Sequence, residues 1–332
     1  MTLTDLKSDI SLNNSISIVI PVYNSEQCLP VLVERINSVL SAFCQQFEVI
    51  LVNDGSKDQS WRVISDLVAS YEWVAGINLM RNYGQHNALL CGIQTAQYEV
   101  IVTIDDDLQH PPQEIPKLLH KLSEGYDVVY GTPQKEQHGL WRYFAARITR
   151  IVLKNAMGVV DNASNVSAFR AFRAQVCNAF ADYRSPFVSI DVLLAWGTTK
   201  FCAIAVRHEQ RYQGISNYTL RTLLIHASNM LTGFSTLPLQ LASFIGFGFT
   251  LFGFFVLAYI IGRYFIQGAS IPGFPFLASI IAIFSGAQLF SLGIIGEYLA
   301  RMHFRTMGKP PSVIREKIGF KFDRKSKYDI PT

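Results

Sequence analysis

The residues best equipped for chemistry lie in IVTIDDDLQHPP, residues 101–112, where an apolar run stops at three consecutive aspartates. Adjacent carboxylates repel one another, and each resists desolvation. In extended backbone successive side chains alternate faces. Asp105 and Asp107 can therefore point one way while Asp106 points the other, and Gln109 repeats the parity of the first two. Two carboxylates and a neutral carbonyl oxygen suit a hard divalent cation, Mg2+ or Mn2+, which takes oxygen ligands and completes its shell with substrate phosphate and water. A bound cation would relieve the repulsion between Asp105 and Asp107. A second acidic turn, NDGS at 53–56, brings Asp54 to an equivalent position after another apolar run.

The elements that must position these groups follow from the hydrophobic pattern. Apolar β-rich runs at 16–24, 47–56, 74–79, 99–107 and 126–131 alternate with helical periodicity at 29–43, 58–71, 84–96 and 112–125. Strands apolar throughout and alternating with helices predict an α/β fold with a mostly parallel sheet covered on both faces. Such sheets bind ligands beyond the carboxyl ends of their strands, where Tyr23, Asp54, Arg81 and the acidic run all fall. No GxGxxG follows the first strand and no GxxxxGK[ST] occurs, which argues against an ordinary dehydrogenase or P-loop NTPase.

After residue 236 the character changes. Residues 237–265 carry no charge before Arg263, and 274–296 carry none, so each is long enough to cross a bilayer. The short connector holds no Lys or Arg while the segment after 298 is rich in both, which predicts a hairpin with both ends in the cytoplasm. Basic, apolar stretches at 140–157 and 219–235 read as interfacial helices. The expected organisation is a disordered lead-in (1–15), a cytosolic catalytic domain (16–218), a transmembrane hairpin (237–298) and a basic cytosolic tail (299–332). With 49% hydrophobic and 16% charged residues the composition fits a soluble part joined to membrane segments. The net charge of +4 is too small to argue for nucleic acid. Five scattered cysteines show no metal spacing and fit buried thiols.

The ordered set IVIPVYN (18–24), NDGSKDQS (53–60), RNYGQHNALLCGI (81–93), IDDDLQHPPQEIP (104–116) and GIIGEYLAR (293–301) resembles the inverting family-2 glycosyltransferases that charge a polyprenyl phosphate. The resemblance spans nearly the whole chain. It implies a GT-A nucleotide-sugar-binding domain, a nucleotide-sugar donor with UDP favoured, an undecaprenyl phosphate acceptor, a divalent metal, a homo-oligomer and the bacterial inner membrane. By motif position it implies that Pro21, Tyr23, Glu26, Asp54, Arg81, Gly84 and Asp106 contact the nucleotide sugar, Asp54 reading the base. Asp105, Asp107 and Gln109 become the metal site. SAFRAF (167–172) and RYQGISNY (211–218) resemble the family's S-x-F-R and R-x-x-G-x-S-K-Y elements.

The implied chemistry is simple. A lipid phosphate is already an anionic nucleophile and needs no strong base; it needs cations that bring two anions together. Arg142, Arg170 and Arg211 are candidates to hold phosphate oxygens bidentately, with Ser167 beside Arg170 at the acceptor phosphate. The catalytic set is thus Asp105, Asp107, Arg170 and Arg211. Asn53, Ser164, Ile215 and Asn217 depart from the family pattern, which implies a different sugar from the best-known relatives. A processive polysaccharide synthase is the alternative, but its QxxRW element is absent and it would need more membrane helices. A catalytically inactive nucleotide-sugar-binding membrane protein is the other, opposed by the intact acidic residues.

Overall fold

The computed structural model describes residues 15–133, 166–209, 237–267 and 273–320. The four apolar runs of the first hundred residues form parallel strands β1 (Ser15–Val22), β2 (Gln46–Asn53), β3 (Val74–Leu79) and β4 (Val100–Thr103). Helices α1 (Leu29–Leu40), α2 (Ser60–Ser70), α3 (Gln85–Thr95) and α4 (Ile115–Ser123) lie between and after them. β5 (Val128–Pro133), β6 (Arg170–Arg173), helix α5 (Ile190–Gly197) and β7 (Phe201–Val206) follow.

The sheet runs β7-β5-β6-β4-β1-β2-β3-β8, with β8 at Ile314–Ile318. β5 and β7 are parallel to each other; β6 runs antiparallel to both β4 and β5, and β8 antiparallel to β3. Alternate residues of each strand feed two apolar layers. Ile16, Ile18 and Ile20 pack with α1 and α4, while Val19, Ile50 and Val52 pack with α3. Close approach of α3 to the sheet depends on Gly92, where a Cβ would stand 2.3 Å from the Val19 side chain.

The expected fold class is observed, and three strands, β6, β7 and β8, are additions to it. β6 starts in SAFRAF and runs to Arg173, and β8 lies in the segment expected to be a basic tail. Helices α6 (Leu237–Gln267) and α7 (Phe274–Thr306) form the apolar pair, with α7 running past the expected limit of 298. Pro238–Arg263 and Ile283–Thr306 are long and apolar enough to cross a membrane, and their central residues are not buried by the protein. The two helices touch where Phe249 meets Phe284 edge-on at 5.9 Å. Both expected interfacial helices, the lead-in to residue 14 and the chain beyond 320 lie outside the described residues.

Candidate functional site

A cleft of about 220 Å³ opens at the carboxyl ends of β1, β2 and β4, lined by Pro21, Tyr23, Asp54, Gly84, Asp105, Asp106 and Asp107, together with Val22, Asn82 and Gln85. Seven of the expected residues therefore meet. The strand ends deliver them: β1 stops at Val22, β2 at Asn53, and β4 at Thr103 with Ile104 still buried.

The three aspartates take different partners, although all three line the cleft. Asp105 Oδ1 accepts a hydrogen bond from Gln85 Nε2 at 2.6 Å. Asp106 turns to the loop after β1, where its Oδ2 accepts from the Tyr23 amide at 3.0 Å and the Ser25 hydroxyl at 2.5 Å. Burial pushes the Asp106 carboxyl up to about 6, against the opposing pull of those two donors. Asp107 Oδ1 accepts from the Gln109 amide at 3.1 Å, closing a tight turn. That turn holds buried Leu108 at φ +62°, a left-handed conformation costing a side chain of this size about 1–2 kcal/mol. The Gln109 carbonyl accepts the Glu209 amide at 2.8 Å, so the chain leaving β7 is fastened to the acidic turn. His110, held neutral with its pKa lowered to about 4 by burial and by His208, stacks on Phe169 at 5.3 Å.

Asp54 is 3% exposed, and both its oxygens are engaged, by the Tyr83 amide at 2.7 Å and the Gly84 amide at 2.8 Å. Burial raises its pKa and these amides with Arg81 oppose the rise. Its immediate work is to clamp the loop between β3 and α3. Gly55 makes that clamp fit: its φ is +65°, and a Cβ there would stand 2.5 Å from the Asn82 nitrogen. Asn53 is buried and donates to Asn78 Oδ1 at 2.9 Å, outside the cleft, so a neutral amide there leaves the lining unchanged.

Other expected residues sit elsewhere. Glu26 Oε2 accepts from the Gln59 amide at 2.7 Å and joins the turns before α1 and α2, apart from the cleft lining. Arg81 is exposed, its guanidinium 4.2 Å from the Tyr83 ring centre. Ser167 Oγ accepts from the Phe169 amide at 3.2 Å. Arg170 is 2% exposed within the sheet and paired with Asp191, whose Oδ1 also accepts from Tyr130 Oη at 3.1 Å. A guanidinium so enclosed serves as a core ion pair. Arg142, Arg211, Ser164, Ile215 and Asn217 lie outside the described residues. Among residues given no role from the sequence, Asn82 and Gln85 line the cleft and Ser25 holds Asp106; both of the first two lie in the RNYGQH stretch that carried the resemblance.

The donors suit a hard cation. Asp105 and Asp107 offer carboxylate oxygens, and among the described residues no three His, Cys, Asp or Glu side chains gather into a protein-only metal cage. Two carboxylates leave positions for diphosphate and water, as Mg2+ prefers.

Comparison with known proteins adds three findings. Residues 17–180 match the family Glycosyl transferase family 2. The chain is 36% identical over 307 residues to undecaprenyl-phosphate 4-deoxy-4-formamido-L-arabinose transferase of Shewanella sediminis, covering 91% of this chain and 92% of that protein. Its counterpart in Pseudomonas aeruginosa is 33% identical over 298 residues, covering 89% and 88%. The solved structure of glucosyl-3-phosphoglycerate synthase from Mycobacterium tuberculosis with phosphoglyceric acid superposes with a TM-score of 0.51 at 17% identity, covering 70% of this chain and 84% of that one. The same enzyme with Mg2+ and uridine diphosphate gives 0.50 at 18% identity, covering 70% and 82%.

Proposed function

The chain belongs to glycosyl transferase family 2, and from that premise we propose that it transfers a sugar from a UDP-linked nucleotide sugar to undecaprenyl or another polyprenyl phosphate, with inversion, for modification of a cell-envelope glycan. The observation that carries the reading is the cleft that Asp105 and Asp107 line together with Asp54, at the sheet end to which the chain returns from α7. Coverage of about nine-tenths of both chains by the formamido-arabinose transferases supports the lipid phosphate as acceptor.

Asp105 and Asp107 would hold a divalent cation, Mg2+ or Mn2+, with Gln109 beside them. Bound there, the cation supplies Lewis-acid neutralisation of the leaving diphosphate. The protein's own contribution is placement. Asp54 fixes the loop from Asn82 to Gly84 against which a nucleoside would lie, and Gln85 orients Asp105. The acceptor phosphate is the nucleophile and arrives already charged, so no strong base is required. Arg211 follows two residues after Glu209, which is fastened to Gln109, and this supports a role for it near the diphosphate. Arg142 remains proposed for the acceptor phosphate. We place the catalytic part (16–218) in the cytoplasm and the hairpin in the bacterial inner membrane, on the positive residues flanking the pair of apolar helices.

The test incubates the purified full-length protein with undecaprenyl phosphate, Mg2+ or Mn2+, and a panel of nucleotide sugars. A metal-dependent, single-sugar lipid phosphate is the expected product. A polymer, or no product from any donor, overturns the reading.

A further inference from the structure

The GEYLAR stretch at 296–301 carries part of the family resemblance, yet nothing in the transfer chemistry uses it. Its last residue does something specific. Arg301 Nη2 pairs with Glu297 Oε1 at 2.9 Å, one turn back along α7, and its guanidinium lies 4.6 Å from the ring centre of Phe187. Its side chain is only 12% exposed, whereas its neighbours Leu299 and Met302 are 57% and 64% exposed. A cation near the end of a membrane span is costly unless it reaches polar partners or an aromatic face. Here Glu297 of the helix itself is a polar partner, and Phe187 of the soluble part supplies the aromatic face. Phe304, three residues on, meets the same ring at 6.4 Å.

Phe187 belongs to the loop before α5, and that loop is tied to the cleft. Asn87 Nδ2 donates to the Pro186 carbonyl at 3.4 Å, and the Ile190 amide donates to His86 Nδ1 at 3.4 Å. Both partners sit in the first turn of α3, next to Gln85 on Asp105. A second tie runs from the far side of α7. Seven residues after the helix ends, the Val313 carbonyl accepts the Met80 amide at 2.9 Å, at the start of the loop that Asp54 clamps. The chain of α7 is thus fastened to the β3–α3 segment that lines one wall of the cleft, through the loop before α5 and through Val313.

We propose that Arg301 is a positioning residue: seated on Phe187, it fixes the height and tilt of the cleft over the bilayer so that a lipid-anchored phosphate meets the donor. This rests on the proposed transfer to a polyprenyl phosphate. It predicts a defect confined to the embedded acceptor, because neither Arg301 nor Phe187 lines the cleft.

The experiment uses the full-length protein in lipid nanodiscs, with Arg301→Ala, Arg301→Lys and Phe187→Ala. Undecaprenyl phosphate in the disc is compared with a short, water-soluble prenyl phosphate, and UDP affinity is measured without turnover. Arg301→Ala and Phe187→Ala should each raise the KM for undecaprenyl phosphate about tenfold or more, while UDP affinity and turnover of the soluble acceptor stay within about twofold. Arg301→Lys, which keeps a cation over the ring and opposite Glu297, should recover most of the loss. An unchanged acceptor KM overturns the proposal, as does an equal loss with the soluble acceptor or in UDP affinity, which marks a merely structural role. If Arg301→Ala fails to fold, Phe187→Ala and Arg301→Lys decide by the same readouts. Absence of transfer by the native protein to either acceptor overturns the parent reading instead, and the proposal falls with it.

Discussion

Gln85 Nε2 meets Asp105 Oδ1 at 2.6 Å and ties the first turn of α3 to the acidic turn after β4. A neutral donor orients the carboxylate without cancelling its charge, so Asp105 keeps lone pairs for a cation. A hydrogen bond to a charged group contributes about 1.5 kcal/mol or more, roughly a tenfold effect. Gln85→Ala should raise the Mn2+ concentration giving half-maximal rate by about that factor. Gln85→Glu sets a second carboxylate against Asp105 and should do worse at neutral pH. Initial rates across a metal titration check both, and an unaltered metal requirement in Gln85→Ala sinks the idea.

The adjacent pair Asp106 and Asp107 should behave differently on truncation. Both line the cleft, but Asp107 is the proposed cation ligand, so Asp107→Ala should lower turnover by about a hundredfold or more with the fold intact. Asp106 instead holds the Tyr23 amide and the Ser25 hydroxyl. Asp106→Ala leaves those donors short of a partner and should cost about 1–3 kcal/mol of stability, with a smaller loss of turnover. Thermal unfolding beside steady-state rates distinguishes the two. Equal loss of turnover in both variants would refute the division of labour.

Arg170 should show itself in stability. Its buried pairing with Asp191, reinforced by Tyr130 Oη, predicts that removing either charge alone strands the other in the core. Breaking such a pair costs about 3–5 kcal/mol. Arg170→Met should therefore lower the unfolding midpoint sharply, and Arg170→Met with Asp191→Leu should recover a large part of that loss. A stable Arg170→Met protein with a raised KM for the lipid acceptor would instead favour a phosphate-binding role.

The same residue marks the limit of what sequence patterns tell. Long apolar strands and the polar turns at their ends are written locally, because burial on both faces demands uninterrupted Val, Ile and Leu, and ligand positions follow from strand direction. So the placing of Asp54 and the acidic run at strand ends was legible, whereas the bonds that hold Asp106 to Tyr23 and Ser25 were not. β6 was not, because a four-residue strand beginning with arginine is made possible by Asp191, twenty-one residues later. β8 was hidden for a different reason: Arg315, Glu316 and Lys317 suit an edge strand exposed on one side, and the same charges read as a solvated tail. Gln85 lay inside a motif that matched as a block, and only its distance to Asp105 gives it a task.

Glu114 offers a pH signature in the segment that braces the acidic turn. It is fully buried, and its oxygens meet Arg207 Nε at 2.7 Å and Lys117 Nζ at 2.5 Å. Burial pushes its carboxyl up, but the hydrogen bonds and charges of Lys117 and Arg207 outweigh that and hold it below its ordinary 4.5. A depressed carboxylate contributes stability that is fully present above 4.5 and is lost as pH falls through its lower folded value. Glu114→Gln should then be less stable than native by about 1–3 kcal/mol near neutrality, its two cations being free to find water. The difference should shrink as the pH drops below 4.5, where the native carboxyl takes up its proton. Unfolding midpoints of the two proteins from neutrality into acid measure it, and a gap that widens on acidification contradicts the assignment. Because Arg207 begins the stretch whose Glu209 amide rests on the Gln109 carbonyl, the variant should also turn over more slowly. That loss should persist with saturating metal, since Asp105 and Asp107 are untouched.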